Sequence, residues 1–187
     1  RNPVKLAELP RKKQKTERRV LTLQEQELFF QYSTESYLNN LFALMVRTGM
    51  RSGEARGLKF SDVDSKNNVI HIRRTLKYEV GKGFFEDTPK TTTSTRDIPL
   101  TPEIIAIIES QRKANRIYSN VLSIDEYVFH LPEGTPISRE RVQAEIDRII
   151  NKVNETGFHM ERFTSHCFRH TFATRAIEAG MQPQTLK

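Results

Sequence analysis

The sequence predicts an α+β fold, mostly α-helical with one small antiparallel sheet. Apolar residues recur at helical spacing in several segments between residues 22 and 179, and two runs rich in strand-forming residues lie among them. The chain of 187 residues is long enough for one domain with a proper core and too short for two large ones. We therefore expect one compact unit with short appendages.

The folded part is predicted to start near residue 21. Thr22, with Glu25 three residues later and an apolar run at 28–30, is typical of a capping box at the start of a helix. Residues 1–20 are accordingly interpreted as a basic interdomain linker, and residues 21–187 as the folded domain.

A tight corner is predicted around Arg51. Apolar residues at positions 38, 41, 42 and 45 indicate a helix, and Gly49 supplies the permissive backbone that ends one. Ser52 is predicted to cap a second, short helix that contains Glu54. Arg51 would therefore lie between two helices.

The small sheet is predicted from residues 69–78 and 96–100, which are rich in strand-forming side chains. The polar sequence 89–95 between them is predicted to form a turn from which the amine of Lys90 projects.

Three more helices are predicted after the sheet. Thr101 and Pro102 are suited to the start of the first, Ser138 can cap the second, and the third is expected over residues 164–179, ended by Gly180. Their predicted core positions are Ile104, Ile105, Ile107 and Ile108, then Val142, Ile146, Ile149, Ile150 and Val153, then Phe168, Phe172 and Ala176.

Positive charge is concentrated at the N-terminal end. The net charge is +7, and residues 1–19 contribute +6 of it through eight Lys or Arg and two Glu residues. Such a segment favours an extended linker that follows a phosphate backbone, although a solvated or solubilising tail is the alternative. The residues predicted to contact DNA are Arg11, Lys12, Lys13, Lys15, Arg18 and Arg19.

Composition restricts the other classes of function. Cys167 is the only cysteine, which excludes an internal disulfide framework and fits a reducing compartment. The sequence has no signal-peptide pattern and no apolar run of about 18 residues, the length that a membrane span requires. We expect a cytoplasmic protein with no membrane contact.

One short segment carries the most specific signal. His166, Arg169 and His170 stand at positions i, i+3 and i+4 of a predicted helix and therefore share one face. An arginine fork binds two phosphate oxygens, so Arg169 together with Arg51 indicates a site that stabilises charge developing on a phosphodiester under attack. Lys90, with a pKa lowered by neighbouring arginines, or His166 would protonate the departing sugar oxygen.

Simpler explanations compete for these residues. Single arginines in a basic chain are mostly surface charges, and His170 is interpreted as a hydrogen-bonded structural histidine. Glu54 is expected to orient the Arg51 guanidinium rather than act as a general base. His166 and His170 have the spacing of a zinc pair, but no third ligand is evident and Cys167 stands where that motif has glutamate, so no metal is predicted.

Three segments follow one another in a specific order: TGMRSGEARGLKFSDVD (48–64), TPKTTTSTRDIPL (88–100) and SHCFRHTFATRAIEAG (165–180). Together they resemble the motif blocks of the tyrosine recombinase, or phage integrase, family over residues 20–187. The long hairpin before Lys90 is most similar to integrases of conjugative transposons and temperate phages of Gram-positive bacteria. The resemblance implies the catalytic-domain fold of that family.

The same resemblance implies roles for individual residues. Arg51 and Arg169 would be the two catalytic arginines, Lys90 the hairpin lysine, His166 the first position of the H-x-x-R block and Glu54 the acidic position beside the first arginine. In the family a tyrosine forms a 3′-phosphotyrosyl link, the free 5′-hydroxyl attacks the partner strand, and a Holliday junction is made and resolved. The implied partners are double-stranded DNA, other recombinase protomers and accessory DNA-bending or directionality factors in a bacterial cytoplasm, without a metal or other cofactor.

One part of the family pattern is missing from this sequence. No tyrosine follows Arg169. The tyrosines that are present match no nucleophile position: Tyr32, Tyr37, Tyr78, Tyr118 and Tyr127. We therefore expect a catalytic domain truncated before its nucleophile, which binds DNA without cleaving it covalently. A type IB topoisomerase-like enzyme and a noncatalytic DNA-binding module are the alternatives.

Overall fold

The fold is known from a computed structural model, which describes residues 18–87, 96–118 and 126–182. Within these ranges the helices are α1 (Leu23–Ser33), α2 (Asn39–Thr48), α3 (Ser52–Arg56), α4 (Pro102–Tyr118), α5 (Arg139–Asn154) and α6 (His166–Glu178). The strands are β1 (Val63–Asp64), β2 (Val69–Ile72), β3 (Thr75–Glu79), β4 (Gly83–Asp87) and β5 (Arg96–Pro99), and a 3₁₀ turn (Phe60–Asp62) precedes β1. The predicted class, mostly helical with small antiparallel sheets, is confirmed.

Two helix starts are capped as the sequence predicts. Thr22 Oγ1 accepts a hydrogen bond from the Glu25 N–H at 3.1 Å, and Glu25 Oε2 accepts one from the Thr22 N–H at 2.8 Å. At α5, Ser138 Oγ accepts a hydrogen bond from the Arg141 N–H at 3.2 Å. Local capping chemistry therefore sets the start of both helices.

The strands form two sheets instead of the single one predicted. In the first, β2 pairs antiparallel with both β1 and β5, while β3 and β4 form a separate hairpin. The prediction of one strand over 69–78 is wrong at Arg73 and Arg74, because the Arg74 guanidinium turns inward to the buried carboxylate of Asp62. Strand β4 is the second strand of the hairpin before Lys90, and its residues were not assigned from the sequence. Gly81 in the turn and Gly83 at the start of β4 both have positive φ, which lets the chain reverse there.

The centre of the core is a cluster of phenylalanines. Phe168 on α6 packs against Phe29, Phe42 and Phe163 with ring centroids 5.4 to 5.6 Å apart. Phe168 is fully buried. This packing fixes the rotation of α6 about its axis and turns the neighbouring Arg169 away from the centre of the core.

Several predicted core positions are less buried than expected. On α4, Ile104 and Ile108 are 3% and 2% exposed, but Ile105 is 42% exposed, so the buried face of that helix is narrower than predicted. On α6, Phe172 and Ala176 are only half-buried. Phe172 instead covers the end of α2, where the candidate site begins.

Candidate active site

Arg51 lies at the corner between α2 and α3. Gly49 ends α2 in the left-handed region (φ 64°), and a Cβ atom there would lie 2.4 Å from Phe172 Cδ1, so both the backbone and the packing require glycine. Arg51 is then extended (φ −68°, ψ 148°) and is itself the N-cap residue of α3. The prediction of Ser52 as the cap is wrong, because Ser52 is the first helical residue. The Arg51 side chain is 53% exposed.

Glu54 holds Arg51 from inside the protein. Its carboxylate is 4% exposed and accepts hydrogen bonds from the Arg51 N–H at 2.9 Å and from Arg51 Nη1 at 2.8 Å. Burial alone would raise the pKa of Glu54, but hydrogen bonds from Arg96 and Arg51 outweigh it and lower the pKa. Glu54 is therefore an ionised carboxylate at neutral pH and fixes both the backbone and the guanidinium of Arg51.

Arg96, the first residue of β5, completes this group and was not among the predicted site residues. Its Nη1 and Nη2 donate to the two carboxylate oxygens of Glu54 at 3.1 and 2.8 Å. The sequence does contain a signal for this contact. In the sequence Arg96 alternates with the apolar Ile98, which places both on one face of a strand, and an arginine on the inward face of a strand requires an acidic partner.

Arg169 extends from α6 towards the same corner. Its Nη1 donates to the carbonyl oxygen of Gly49 at 2.5 Å. Burial and then repulsion by Arg51 and Arg96 lower the pKa of Arg169, against the attraction of Glu54. Three guanidinium groups therefore act on one carboxylate, and their surplus positive charge is suited to binding an anion.

His166 and His170 lie one turn apart on α6, with perpendicular rings whose centroids are 4.6 Å apart. Burial, followed by the charges of Arg169, Arg51 and Arg18, lowers the pKa of His166. Burial, His166, Arg18 and Arg169 lower the pKa of His170 in the same way. Because cations cause part of these shifts, an anion bound among the arginines would raise both pKa values and make His166 easier to protonate.

An open cavity of about 550 Å³ adjoins the exposed edges of Arg51 and His166. Residues of α3 and β3 and the first turns of α5 and α6 line it, and they include Arg139 and Tyr78. Of the three arginines, only Arg51 lines this cavity, whereas Arg96 and Arg169 line a separate one. The cavity is open to solvent, so an extended anionic ligand can reach the guanidinium of Arg51.

Part of the predicted site lies outside the described residues. Lys90 belongs to that part, and its role as a proton donor stays a prediction. The same holds for the DNA contacts predicted for four residues of the linker: Arg11, Lys12, Lys13 and Lys15.

The residues where the predicted linker ends are hydrogen-bonded to α6. The Leu21 N–H donates to Thr171 Oγ1 at 3.0 Å, and Leu21 is fully buried. Arg18 is exposed. Arg19 forms ion pairs with Glu25 at 2.7 Å and Glu161 at 3.1 Å, so its guanidinium is bound within the fold. The predicted DNA contacts of Arg18 and Arg19 stay predictions.

The fold and the site together define a class of protein: a mostly helical domain whose clustered arginines and paired histidines are suited to a phosphodiester. The sequence profile described as the phage integrase family matches residues 15–187. The chain therefore belongs to the phage integrase family, as its motif blocks predict.

Two relatives illustrate the membership. The protein described as tyrosine recombinase XerC-like from Caldanaerobacter subterraneus subsp. tengcongensis is 30% identical over 165 residues, covering 80% of this chain and 41% of that protein. The transposase from transposon Tn916 of Enterococcus faecalis is 28% identical over 176 residues, covering 90% of this chain and 43% of that protein. The predicted similarity to integrases of Gram-positive transposons and phages is confirmed. The chain spans about two fifths of the length of these relatives.

A solved structure shows the same fold. The Tn1549 transposon integrase in complex with transposon right end DNA matches with a TM-score of 0.80 and 27% sequence identity, covering 94% of this chain and 58% of that chain. The predicted tyrosine recombinase catalytic-domain fold is thereby confirmed. In the part of the chain that the structure describes, no helix has the length and apolar character to cross a bilayer.

Proposed function

We propose that this chain is the phosphodiester-binding part of a site-specific DNA recombinase that cuts and rejoins strands through a phosphotyrosyl link. The observation that carries the proposal is the surplus of positive charge around Glu54. Arg51 and Arg96 bind this one buried carboxylate, the charge of Arg169 acts on the same group, and Arg51 is half-exposed beside an open cavity. Membership of a family that includes DNA-bound integrases supports the same conclusion.

The proposed chemistry assigns each group a task. Arg51 and Arg169 donate hydrogen bonds to the non-bridging oxygens of the scissile phosphate, where negative charge grows as the nucleophile attacks. The oxygen of a tyrosine that has given its phenolic proton to solvent forms the new bond to phosphorus, and the bond to the 5′ oxygen breaks. His166 or Lys90 supplies the proton to that departing oxygen. The reverse sequence, on a partner strand, rejoins the DNA.

The attacking tyrosine is proposed to lie outside these 187 residues. No tyrosine follows Arg169 in the sequence. Burial and a 2.7 Å hydrogen bond to Glu86 raise the pKa of Tyr127 to about 12, which makes it a poor nucleophile. Tyr78 borders the same cavity as Arg51, but it belongs to the β3–β4 hairpin, and its ring packs edge-on against Phe84.

The wider setting follows from the same proposal. Residues 1–20 would be a linker that follows the DNA backbone before the catalytic domain begins at residue 21. Arg18 supports this, because it is exposed and its charge acts on His166 and His170. The partners would be double-stranded DNA, further recombinase protomers and accessory factors. The proposed location is a bacterial cytoplasm.

The test compares two proteins: the product of the complete reading frame that contains this sequence, and the 187-residue chain. Each is incubated in EDTA with a nicked duplex that carries the ends of the DNA element that the recombinase is proposed to move. We expect the longer protein to form a denaturant-resistant adduct on a tyrosine outside these 187 residues, and the shorter chain to bind DNA without an adduct. Mass spectrometry identifies the modified residue.

Variants separate the alternatives. Replacing Arg51 or Arg169 with alanine in the longer protein should slow adduct formation by about 100-fold or more, as expected for the loss of a donor to a developing oxyanion. Arg162→Ala is the matched control, because Arg162 is exposed and paired with Asp147. Tight binding without an adduct would favour the noncatalytic module. Relaxation of supercoiled DNA without paired sites would favour the topoisomerase-like enzyme.

A further inference from the structure

The hydrogen bonds of Glu54 are divided between two arginines. Oε1 accepts from Arg51 Nη1 at 2.8 Å and from Arg96 Nη1 at 3.1 Å, while Oε2 accepts from the Arg51 N–H at 2.9 Å and from Arg96 Nη2 at 2.8 Å. Each carboxylate oxygen therefore accepts one bond from each arginine. A carboxylate has about four positions that accept hydrogen bonds. The carboxylate of Glu54 is 4% exposed, and protein groups donate to all four of these positions.

The two arginines do not bind Glu54 in the same way. Arg96 places its two terminal nitrogens against both oxygens, which is the bidentate arrangement of an arginine and a carboxylate. Arg51 is thereby limited to a single side-chain bond through Nη1. Among the described residues, Glu54 is the one side-chain partner of Arg51, whose guanidinium is half-exposed. The rest of that guanidinium is directed towards the solvent side.

The charges of Arg51, Glu54 and Arg96 also indicate that Arg51 remains available for a phosphate. Arg51 and Glu54 alone would form a neutral pair with little attraction for a phosphate. Arg96 adds a second positive charge and is 24% exposed, so it neutralises the carboxylate from the protein side and leaves the charge of Arg51 available outside. Without Arg96, both oxygens of the Glu54 carboxylate would be available to bind the Arg51 guanidinium as a bidentate pair.

We propose that Arg96 is a positioning residue for the phosphodiester site. By binding both oxygens of Glu54, it holds Arg51 in the orientation and charge environment in which Arg51 binds a phosphate. The inference rests on the proposed function, because it assumes that Arg51 binds a phosphodiester. It goes further by assigning a task to Arg96, a residue of β5 that was not among the predicted site residues.

A purely structural role is the competing explanation, and the chain contains a matched pair to test it. Arg74 also binds a buried carboxylate, that of Asp62, which is 1% exposed. The other partners of Arg74 are Glu86 at 3.2 Å and the carbonyl oxygen of Gly57 at 3.4 Å. Replacing Arg74 should therefore destabilise the fold without lowering the affinity of Arg51 for a phosphate.

The experiment uses this 187-residue chain with ¹⁵N-labelled arginine side chains, followed by NMR. The probe is thymidylyl-(3′→5′)-thymidine, which contains one phosphodiester. We expect the Arg51 signal, assigned with Arg51→Lys, to shift on titration. Arg96→Ala should weaken the binding by about tenfold, and Arg96→Lys should restore part of it, since lysine keeps the charge but cannot bind both oxygens. Arg74→Ala should leave the affinity within about twofold, as expected for a residue without a phosphate contact.

A second background tests whether Arg96 acts through Glu54. In Glu54→Gln, the further change Arg96→Ala should alter the affinity by less than about twofold, because the group that Arg96 positions is already altered. An equal loss in both backgrounds would overturn the inference and indicate a direct effect of Arg96 on the phosphate.

The remaining outcomes separate the two proposals. If the wild-type Arg51 signal does not respond to the dinucleotide, the phosphate site and the inference both fail. If it responds equally in wild type and in folded Arg96→Ala, only the inference fails. If Arg96→Ala does not fold, Arg96→Lys decides, and an unchanged affinity in that variant overturns the inference.

Discussion

Two buried carboxylates organise two polar networks in this protein, and the networks differ in charge balance. Asp62 is bound by Arg74, and its Oδ2 accepts a hydrogen bond from the Lys59 N–H at 2.9 Å. Arg74 and the Lys59 amine also contact Glu86, at 3.2 and 2.7 Å. At hydrogen-bonding distances, two acidic and two basic groups neutralise one another where the β3–β4 hairpin meets the 3₁₀ turn, while the exposed Arg73 lies farther away, 4.0 Å from Asp62 Oδ1.

The network of Glu54 is not balanced. One carboxylate is bound by Arg51 and Arg96, and the charge of Arg169 acts on all three. A buried charge is stable only with a partner, so a balanced network is sufficient to join two parts of a fold, whereas surplus charge at the surface is suited to an external anion. The two networks both consist of arginines on a buried carboxylate, and the comparison teaches that they differ in charge balance, which is the property that favours anion binding at Glu54.

The largest expected effect tests the balanced network. Asp62→Ala should lower the free energy of unfolding by about 3–5 kcal/mol, because Arg74 and the Lys59 N–H both lose this buried acceptor and Glu86 is the acidic partner that remains to Arg74. Urea denaturation of the 187-residue chain measures this loss. Asp147→Ala removes an exposed pair with Arg162 and should cost about 1 kcal/mol or less. Equal losses of unfolding free energy in the two variants would contradict a structural role for the Asp62 network.

The next effect concerns the backbone beneath the unbalanced network. Gly49→Ala should lower the free energy of unfolding by about 2–4 kcal/mol, because the methyl group meets the ring of Phe172 and the backbone is left-handed. It should also displace the carbonyl oxygen that Arg169 binds. Gly157→Ala is the control, since Gly157 has φ 90° but no atom within 4 Å of an added Cβ, so it should lose only the backbone part.

A smaller effect separates stability from binding. Arg51→Ala should change the free energy of unfolding by less than about 1 kcal/mol, because the side chain is half-exposed. It should weaken binding to a generic duplex and reduce the slope of log affinity against log salt by about 1, as expected for one lost phosphate contact. Fluorescence anisotropy at several salt concentrations measures both, with Arg162→Ala as control. An unchanged slope would contradict the assignment of Arg51.

The smallest effect is a dependence on pH. The pKa values of His166 and His170 are lowered in the folded protein, so as pH falls below about 6.5 the unfolded chain takes up protons first. The free energy of unfolding should therefore decrease as pH falls through the ordinary histidine range towards the lowered folded values, and it should be constant above that range. Urea denaturation between pH 7.5 and 5 measures the change.

Two controls complete the pH experiment. His166→Gln combined with His170→Gln should reduce the slope, whereas His159→Gln, on a different surface, should leave this contribution in place. Bound duplex should raise the pKa values of His166 and His170, because the phosphates offset the charges of Arg169 and Arg18. An NMR titration that showed lower values with DNA would contradict an anion site beside these histidines.

Much of the helical architecture could be predicted because it depends on neighbours in the sequence. The capping signals at Thr22 and Ser138 and the helix end at Gly49 act within a few residues, and the structure has each of them. The two-sheet topology could not be predicted in the same way. The predicted strand over 69–78 is interrupted at Arg73 and Arg74, where Arg74 forms an ion pair with Asp62, twelve residues before it. Local sequence preferences cannot predict such a contact.

In the candidate site, too, contacts within one element could be predicted from the sequence, whereas contacts between distant elements depend on the tertiary structure. The sequence by itself determined that Glu54 follows Arg51 by three residues and that His166, Arg169 and His170 share one face of a helix, since helical geometry brings such positions together. The motif blocks predicted that Arg169 shares a site with Arg51, but they did not predict Arg96. The contacts themselves were decided by the tertiary structure, because they span 42 and 120 residues and depend on how β5 and α6 pack against the α2–α3 corner. Charge on a single element was readable from spacing, whereas the balance of charge around Glu54 is a property of the packed molecule.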